Sequence, residues 1–233
     1  MEATVTSCDT TAEARETHER ILDAAQKLFA KKGLDATSVR DITTEADCNV
    51  AAVNYHFGGK DNLYVESFRA MLEPLRDQRM AMMEELMQRD PVPTLEGYLA
   101  GFAEGFLEPL VDESLGRQFM LFVSREISDQ NLPAGLFLGE FIMPLVTRAV
   151  SSLDRVGVPL TQEQSFYCIF SIIGQLLHAV KGHHMSDQLQ PTGAAPFDLK
   201  GFIDHFVRFS AAGIRACAMD EIAPQETFSS EEA

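Results

Sequence analysis

Apolar residues recur at every third or fourth position along most of this chain, and this spacing restricts the fold more than any other feature. It appears first in Ile21, Leu22, Ala25, Leu28 and Phe29, which share one face of a helix. Later helices with the same spacing are expected at approximately residues 95–109, 113–128, 134–155, 161–181 and 197–218. No alternation of apolar and polar residues is long enough to predict a strand. The sequence therefore predicts an all-α protein.

Two short helices are predicted between the first helix and a pair of glycines. Thr37 is a candidate N-cap for the first of them, and a four-residue turn at 46–49 separates it from the second. Asn49 is placed to cap that second helix, Val50 to His56, and Gly58-Gly59 ends it. Two short helices that are joined by a tight turn and supported by a longer helix are typical of a helix-turn-helix unit.

Longer helices are predicted on both sides of this unit. Thr17 is a candidate N-cap for the first, and Lys60 begins a long helix in which Pro74 predicts a kink or a break. The segment at 89–94 is a linker to the later helices. The expected organisation is a flexible N-terminus at residues 1–16, a helix-turn-helix domain at 17–64, a helical bundle domain at 65–218 and a disordered acidic tail at 219–233.

Charge and cysteine content restrict the location and the partners. The chain has 35 acidic and 19 basic residues, a formal net charge of −16, which argues against general attraction to nucleic acids or anionic membranes. Its four cysteines form no CxxC pair, as expected for free thiols in a reducing compartment. No secretory signal is recognisable, and the longest uncharged apolar run, Ser165 to Val180, is too short to span a bilayer comfortably. We expect a cytoplasmic protein with no membrane partner.

The helix-turn-helix pattern predicts contact with double-stranded DNA. In this arrangement the second helix enters the major groove, where short or flat outward side chains allow it to approach the base edges. Ala51 and Ala52 can touch thymine methyl groups, and Asn54 can pair with adenine. Tyr55 and His56 are placed at the end of the helix, where they can reach phosphate oxygens.

Helix ends supply further candidates for phosphate contact. Lys60 and the N–H groups after the glycine pair open one helix, while Thr37 and Arg40 lie at the start of another. However, residues 1–70 hold 8 basic and 12 acidic residues, so the usual basic footprint of a DNA-binding unit is missing. Few phosphate contacts per subunit imply that dimerisation is needed for useful affinity. A helical module that binds a protein partner instead of DNA is an alternative.

A long stretch, ILDAAQKLFAKKGLDATSVRDITTEADCNVAAVNYHFGGKDNLY at residues 21–64, resembles the signature of the TetR family of transcriptional regulators. The resemblance implies a homodimeric transcriptional repressor that binds a palindromic operator and is released by a small, largely apolar effector. It places the DNA contacts at Thr37, Arg40, Asn49, Ala51, Ala52, Asn54, Tyr55, His56 and Lys60. The chain has Asp47 where the commoner family pattern has glycine, but aspartate tolerates a positive φ angle better than most residues.

The C-terminal part is rich in phenylalanine and methionine, whose side chains can either line a ligand pocket or form a plain core. Resemblance to the TetR family implies that this part binds the effector and carries the dimer contacts. Gly174 and Ala179 on the helix at 161–181 are small enough for close helix approach, and with the last helix they suggest a four-helix dimer interface. The segment SIIGQLLHAVKGHH also resembles the CerR-like branch of the family. Candidate effector contacts are Phe102, Phe106, Met120, Met143, Phe170, Gln175 and His178. For Gln175 and His178, polar pairing across the dimer interface is the favoured alternative.

Three histidines, His178, His183 and His184, raise the alternative of a helical metal- or small-molecule-binding protein or an enzyme. Spacings of five and six residues do not place two imidazoles on one helical face, and no acidic or cysteine partner is fixed nearby. No nucleophile–base pair, paired carboxylates or phosphate-binding glycine loop is recognisable. We expect no catalytic residue, no metal and no cofactor.

Overall fold

The computed structural model describes residues 6–111, 115–189 and 198–219, and the side chains of residues 13–111, 116–183 and 198–219. The α-helices of these residues are α1 Thr6–Lys32, α2 Val39–Glu45, α3 Val50–Phe57, α4 Lys60–Gln88, α5 Leu95–Leu107, α6 Leu115–Asp129, α7 Met143–Val156, α8 Gln162–Leu189 and α9 Leu199–Met219. A 3-10 turn at Glu108–Leu110 extends α5, and a π-helical segment at Phe137–Ile142 leads into α7. No strand occurs in the described residues, and the all-α prediction is confirmed.

The first two helices begin at residues other than the predicted ones. α1 already begins at Thr6, so Thr17 lies inside the helix and does not cap it. Ser38, not Thr37, caps α2. The Ser38 hydroxyl accepts a hydrogen bond from the Asp41 N–H at 3.1 Å, and the Asp41 carboxylate accepts one from the Ser38 N–H at 3.0 Å. This reciprocal capping box satisfies two N–H groups at the start of the helix.

The turn between α2 and α3 has the expected form. Asp47 takes a φ of 49°, in the left-handed region, which confirms that aspartate can replace glycine there. Asn49 caps α3 as predicted, because its Oδ1 accepts a hydrogen bond from the Ala52 N–H at 2.9 Å. Gly58, with a φ of 74°, ends α3, and Gly59, with a φ of 141°, leads into α4.

α4 is one uninterrupted helix that belongs to both parts of the molecule. Pro74 lies inside it, so of the predicted kink or break the break does not occur, while the kink stays a prediction. α4 packs on α1 and α3 of the helix-turn-helix unit and on α5 and α7 of the bundle. α5 approaches it closely at Gly101 and Gly105, where a β-carbon would lie 2.7 and 2.8 Å from atoms of Leu86 and Met82. α4 therefore connects the two parts mechanically.

An aromatic cluster joins the helix-turn-helix unit to the bundle. It is formed by Phe29 of α1, Tyr64 and Phe68 of α4 and Phe122 of α6, all of which are buried. The centroid of the Phe122 ring lies 5.2 Å from those of Tyr64 and Phe68 and 6.4 Å from that of Phe29. Edge-on ring contacts of this kind add a directional term to the burial of apolar surface. The Tyr64 hydroxyl donates a hydrogen bond to the Glu126 carboxylate at 2.9 Å, so its polar end is satisfied.

A second connection runs from α6 to the C-terminal end of α1. The Arg125 guanidinium donates hydrogen bonds to the carbonyl oxygens of Ala30 at 3.0 Å and Lys31 at 2.7 Å. Carbonyl groups in the last turn of a helix lack partners within the helix, and a cation there also complements the helix dipole. α6 therefore holds the helix-turn-helix unit directly.

α8 and α9 pack against each other and leave an apolar face uncovered. The exposed large apolar side chains on these two helices are Phe166, Tyr167, Phe170, Phe209 and Met219. α8 extends to Leu189, while residues 190–197 and the predicted tail beyond Met219 lie outside the described residues. Within the described part of the chain, no helix is both long and apolar enough to cross a membrane.

Candidate nucleic-acid interface and interior cavity

α3 presents one face to solvent and anchors the other in the core. Val53 and Phe57 are buried, whereas Ala51 and Asn54 are exposed and Tyr55 is 82% exposed. The three exposed residues are three and four positions apart, so they form one outward stripe along the helix. A tyrosine this exposed contributes little to the core, and its position points to a surface that meets another molecule.

The other residues predicted on α3 lie at the margins of this outward stripe. Asn49 is exposed, but its side-chain oxygen already caps the helix, and Ala52 is half-buried against the core. His56 is half-buried, with its ring centroid 5.0 Å from that of Tyr55 and 5.9 Å from that of His18 on α1. The sequence pattern did not predict His18 at this surface, because α1 was assigned only a supporting role.

Three residues outside α3 were predicted to contact phosphate. The Thr37 side chain has no exposed surface, and its hydroxyl donates a hydrogen bond to the Gly33 carbonyl at 2.7 Å. Its side chain cannot reach DNA, so this prediction is wrong. Arg40 on α2 is exposed. Lys60 is half-buried, and its ammonium group donates hydrogen bonds to the carbonyl oxygens of Leu34 at 3.0 Å and Thr37 at 3.2 Å.

Lys60→Met should destabilise the helix-turn-helix unit. The substitution keeps the length of the side chain but removes two charge-assisted hydrogen bonds, and we expect a loss of about 2 kcal/mol. The midpoint of thermal unfolding should fall by roughly 4–8 °C, measured by circular dichroism. Lys31→Met, at an exposed position near the end of α1, is the control and should leave the midpoint unchanged. An unchanged midpoint in Lys60→Met would show that the two carbonyl hydrogen bonds do not stabilise the fold.

The acidic residues Asp41, Glu45 and Asp47 lie on α2 and in the turn, outside α3. Asp41 is held by the capping hydrogen bond from Ser38 and lies 3.7 Å from the Lys32 ammonium group. The backbone hydrogen bond from Ser38, more than any other interaction, lowers the pKa of the Asp41 carboxyl. Glu45 and Asp47 are exposed at the turn, and α3 itself contains no acidic residue. The helix predicted to enter the groove therefore carries no charge that repels phosphate.

The structure does not bring the seven predicted effector residues together. Those on α5 and α6 are buried or half-buried, and they are Phe102, Phe106 and Met120. Those on α7 and α8 are exposed or half-exposed, and they are Met143, Phe170, Gln175 and His178. These seven residues stay predicted effector contacts, because helical spacing identifies the apolar faces but not which of them the chain covers itself.

An interior cavity of about 60 Å³ lies within the bundle, among α4, α5, α6, α7, α8 and the π-helical segment. Its aromatic and charged lining residues are Phe106, Phe119, Phe137, Phe141, Arg76 and Arg79. Only Phe106 was among the predicted effector contacts. Neither arginine was predicted, although the sequence carried a signal for Arg79, which lies four residues after Leu75 and four before Met83 on the buried stripe of α4.

Two family models match this two-part architecture. Residues 21–66 match the model of bacterial regulatory proteins of the tetR family, and residues 102–213 match the Tetracyclin repressor-like C-terminal domain. The chain belongs to the TetR family. It is therefore a helix-turn-helix transcriptional regulator and not an enzyme, as its sequence predicted. The narrower resemblance of this TetR-family chain to the CerR-like branch stays a prediction.

Curated relatives of this TetR-family regulator match only part of its length. The probable HTH-type transcriptional regulator YttP of Bacillus subtilis is 47% identical over 47 residues, which are 20% of this chain and 23% of YttP. IcaR, the negative transcriptional regulator of a biofilm operon in Staphylococcus aureus, is 29% identical over 84 residues, which are 36% of this chain and 44% of IcaR. Each match spans less than half of the relative.

Solved structures resemble the TetR-family chain over most of its length. A TetR-like transcriptional regulator from Rhodococcus sp. RHA1 has a TM-score of 0.59 at 15% identity, over 85% of this chain and 95% of that chain. The multidrug binding protein EbrR, complexed with malachite green, has a TM-score of 0.55 at 19% identity, over 82% of this chain and 96% of that chain. At these identities the likeness establishes the fold alone.

The histidines of α8 do not favour the metal-binding alternative for this TetR-family protein. His178 is exposed, His183 is half-buried, and the side chain of His184 lies outside the described residues. Among the side chains that the structure describes, no group of three or more His, Cys, Asp or Glu residues could hold a metal ion. Family membership gives the chain a role that needs none of these histidines as ligands.

Proposed function

We propose that this protein is a homodimeric repressor that binds a near-palindromic operator through α3 and is released by a small effector in the helical bundle. The observation that carries the proposal is the outward stripe of Ala51, Asn54 and Tyr55, on a helix whose other face is anchored in the core. Family membership supports DNA binding. The negative sense of regulation is proposed by analogy with IcaR, which is a negative regulator.

The outward stripe suits the major groove of duplex DNA. The methyl group of Ala51 can lie against a thymine methyl group, and the Asn54 amide can form two hydrogen bonds with adenine. Tyr55 and His56, at the end of α3, are placed to donate hydrogen bonds to phosphate oxygens. Arg40 on α2 supplies an exposed cation for the same strand. These contacts combine base readout with positioning on the backbone.

Other predicted DNA contacts have a positioning role in this proposal. Asn49 caps α3, and Ala52 of α3 packs against the core. Lys60 connects the start of α4 to the loop before α2 through two hydrogen bonds. Their bonding capacity is used inside the protein, so they set the orientation of α3. Few side chains are then left to neutralise phosphate, and useful affinity requires two copies of the unit on one operator.

The uncovered apolar face of α8 and α9 is the proposed dimer interface. Contiguous exposed apolar surface marks a site of association, and five large apolar side chains are exposed on these two helices. Two helices from each subunit, related by a two-fold axis, would form a four-helix interface. Gly174 is exposed on this part of α8, whereas Ala179 is buried within its own subunit and does not face the partner.

The interior cavity is the proposed effector site, and α6 is the proposed route from it to DNA. Phe119 and Val123 of α6 line the cavity, and Arg125 of the same helix holds the last carbonyl groups of α1. An effector that displaces α6 would therefore move α1 and, with it, the orientation of α3. EbrR, which has a similar fold, binds a small molecule, malachite green.

Asn54→Ala should weaken operator binding and relax the base preference at one position of each half-site. Purified protein is first used to select duplexes from a random DNA library, and the selected duplex is then titrated by fluorescence anisotropy at several salt concentrations. A lost bidentate contact costs about 1–3 kcal/mol per half-site, so the affinity should fall at least about tenfold. Gln78→Ala removes an exposed amide from α4 and is the control, with unchanged affinity expected.

Two outcomes of this experiment would overturn the proposal. The first is that the library yields no sequence with two-fold symmetry. The second is that binding does not weaken with salt, because contact with phosphates releases counterions and must depend on salt concentration. Equal affinity of Asn54→Ala and the wild type for every base at every position would remove Asn54 from the base contacts and leave the remainder of the proposal standing.

A further inference from the structure

Arg79 occupies a position on α4 that an apolar residue would normally take. Leu72, Leu75, Met83 and Leu86 recur at spacings of three and four and are buried. Arg79 lies between them on the same stripe, and its side chain is only 6% exposed. Arginine is rarely buried without a partner of opposite charge. The position therefore carries a cation into the core of the bundle.

The partners of Arg79 within the described residues are all uncharged. One Nη2–H donates a hydrogen bond to the Phe106 carbonyl at 3.3 Å, and the guanidinium carbon lies 3.7 Å from the centroid of the Phe106 ring. The Nε–H group is buried and has no hydrogen-bond partner in this part of the chain. Burial with no offsetting charge lowers the pKa of Arg79 to about 9.

Three other arginines of the bundle, Arg69, Arg76 and Arg148, have carboxylate partners. Arg69 donates to Glu140 at 2.9 Å, Arg76 donates to Asp77 at 2.8 Å, and Arg148 is paired with Glu84. Each of these three is more exposed than Arg79. The most deeply buried guanidinium thus lacks the counterion that its more exposed neighbours possess. A buried unpaired charge is costly unless something else supplies the opposite charge.

The surroundings of Arg79 leave room for a small molecule of suitable chemistry. Arg79 lines the interior cavity together with Phe119, Phe137 and Phe141. A volume of about 60 Å³ corresponds to roughly four or five waters, or to a carboxylate with a few carbon atoms. Larger apolar groups would require the phenylalanine side chains to move. Other lining residues, such as Leu145 and Leu177, are aliphatic.

We propose that this cavity binds a small hydrophobic carboxylic acid as its anion, with Arg79 as the residue that pairs with the carboxylate. The assignment rests on the proposed effector role of the cavity and names the chemical class of the effector. The planar guanidinium offers parallel N–H groups that match the two oxygens of a carboxylate, and the free Nε–H is one of them. The aromatic and aliphatic walls receive the apolar part of the acid.

The same arrangement excludes other ligand classes. A neutral amide of the same shape cannot neutralise the guanidinium, and an amine would place a second cation beside it. Arg76, although it also lines the cavity, is already paired with Asp77 and donates to the Glu140 carbonyl at 3.3 Å. Arg79 therefore accounts for the preference for an anion.

Isothermal titration calorimetry of the full-length protein with butanoate and with benzoate tests the proposal without DNA. Butanoate should bind the wild type directly, and benzoate should bind it with movement of the phenylalanine side chains, whereas butanamide, benzamide and benzylamine should not bind. Arg79→Met should weaken binding of both acids at least about tenfold, because hydrogen bonds to charged groups are lost. Arg155→Met is the matched control: Arg155 also donates to one carbonyl, that of Met87 at 3.0 Å, but does not line the cavity. Arg155→Met should bind both acids with the affinity of the wild type.

Thermal unfolding of the ligand-free variants provides the second readout. If Arg79 has no anionic partner in the ligand-free protein, Arg79→Met should leave the unfolding midpoint unchanged or raise it, because an unpaired buried charge is removed. A fall of more than about 4 °C would overturn the proposal. It would mean that the guanidinium already has a stabilising partner in the folded chain, such as Asp112 or Glu113, which lie outside the described residues.

The remaining outcomes separate this proposal from the effector role. Failure of both acids to bind the wild type, or equal binding to Arg79→Met, would overturn the carboxylate site even if another compound releases DNA. Binding that depends on Arg79 but leaves operator affinity unchanged would support the site and contradict its role as the effector site. Release of DNA by the acids from the wild type, but not from Arg79→Met, would support both.

Discussion

Phe170→Glu should convert the protein into a monomer and lower its operator affinity by about 10²- to 10⁴-fold, the advantage that two linked binding sites provide. Phe170 is 64% exposed on α8, and its ring stacks on that of Phe166 with centroids 6.3 Å apart. In the proposed dimer this pair lies within the contact between subunits. A glutamate there would be a buried charge without a partner, which is strongly destabilising for an interface.

The size of the expected effect follows from the charge of the DNA-binding unit. Residues 1–70 carry more acidic than basic residues, and Lys60 uses its ammonium group for hydrogen bonds inside the protein. A single unit therefore makes too few phosphate contacts to bind DNA well alone. In the proposed dimer the second subunit would supply the second half of the contacts at a fixed distance, so loss of the dimer should greatly weaken the operator complex.

Ile127→Glu is the matched control for this prediction. Ile127 is 63% exposed, nearly the same as Phe170, but it lies on α6 and outside the face of α8 and α9. For Ile127→Glu, sedimentation equilibrium at micromolar concentration should show a dimer, and fluorescence anisotropy on the selected operator should show wild-type affinity. A dimeric Phe170→Glu would contradict the assigned interface. A monomeric Phe170→Glu with full affinity would contradict the need for two subunits.

The helices and the helix-turn-helix unit were predictable because short-range physical rules determine them. Helical spacing located the helices, Asn49 was recognised as a cap, and the left-handed φ of Asp47 followed from its side-chain chemistry. The N-cap of α2 was assigned to Thr37 and not to the adjacent hydroxyl residue, Ser38. Ser38 is followed three residues later by Asp41, which returns its hydrogen bond, whereas Thr37 is turned under the end of α1. That reciprocal spacing was present in the sequence.

The effector region was harder to predict, because pairing between distant residues decides it. Composition marked the region as rich in phenylalanine, but Phe106 faces the cavity while Phe170 faces solvent. Periodicity assigns both to apolar faces and does not distinguish a face buried in one chain from a face buried between two. Arg79 was not predicted as a lining residue because it is charged. A charged residue does not fit the pattern of apolar ligand contacts, although a charge on a core stripe is the more informative signal.

The two connections between the DNA-binding unit and the bundle were also beyond prediction from local pattern. Arg125 lies far along the chain from Ala30 and Lys31, whose carbonyl groups it holds. Nothing in the sequence around Arg125 specifies that partner. The aromatic cluster likewise draws its rings from α1, α4 and α6. These long-range contacts make α6 part of the route from cavity to α3 in the proposed mechanism.

Phe122→Ala is expected to have the largest effect on stability of any single substitution considered for this protein. The Phe122 side chain has no exposed surface and contacts the rings of Phe29, Tyr64 and Phe68. Truncation removes buried apolar surface and leaves a cavity where three helices meet, at a cost of about 3–5 kcal/mol. Because about 1 kcal/mol corresponds to 2–4 °C at this chain length, the unfolding midpoint should fall by roughly 6–20 °C.

Two further variants distinguish loss of packing from a general sensitivity of α6. Phe122→Leu retains most of the buried volume and should cost clearly less than Phe122→Ala. Ile127→Ala removes an exposed apolar side chain from the same helix and should change stability by no more than about 0.5 kcal/mol. Equal losses in all three would assign the effect to the helix itself. If Phe122→Ala alone loses several kcal/mol, the aromatic cluster stabilises the contact between the DNA-binding unit and the bundle, as the proposed route from the cavity through α6 to α1 requires.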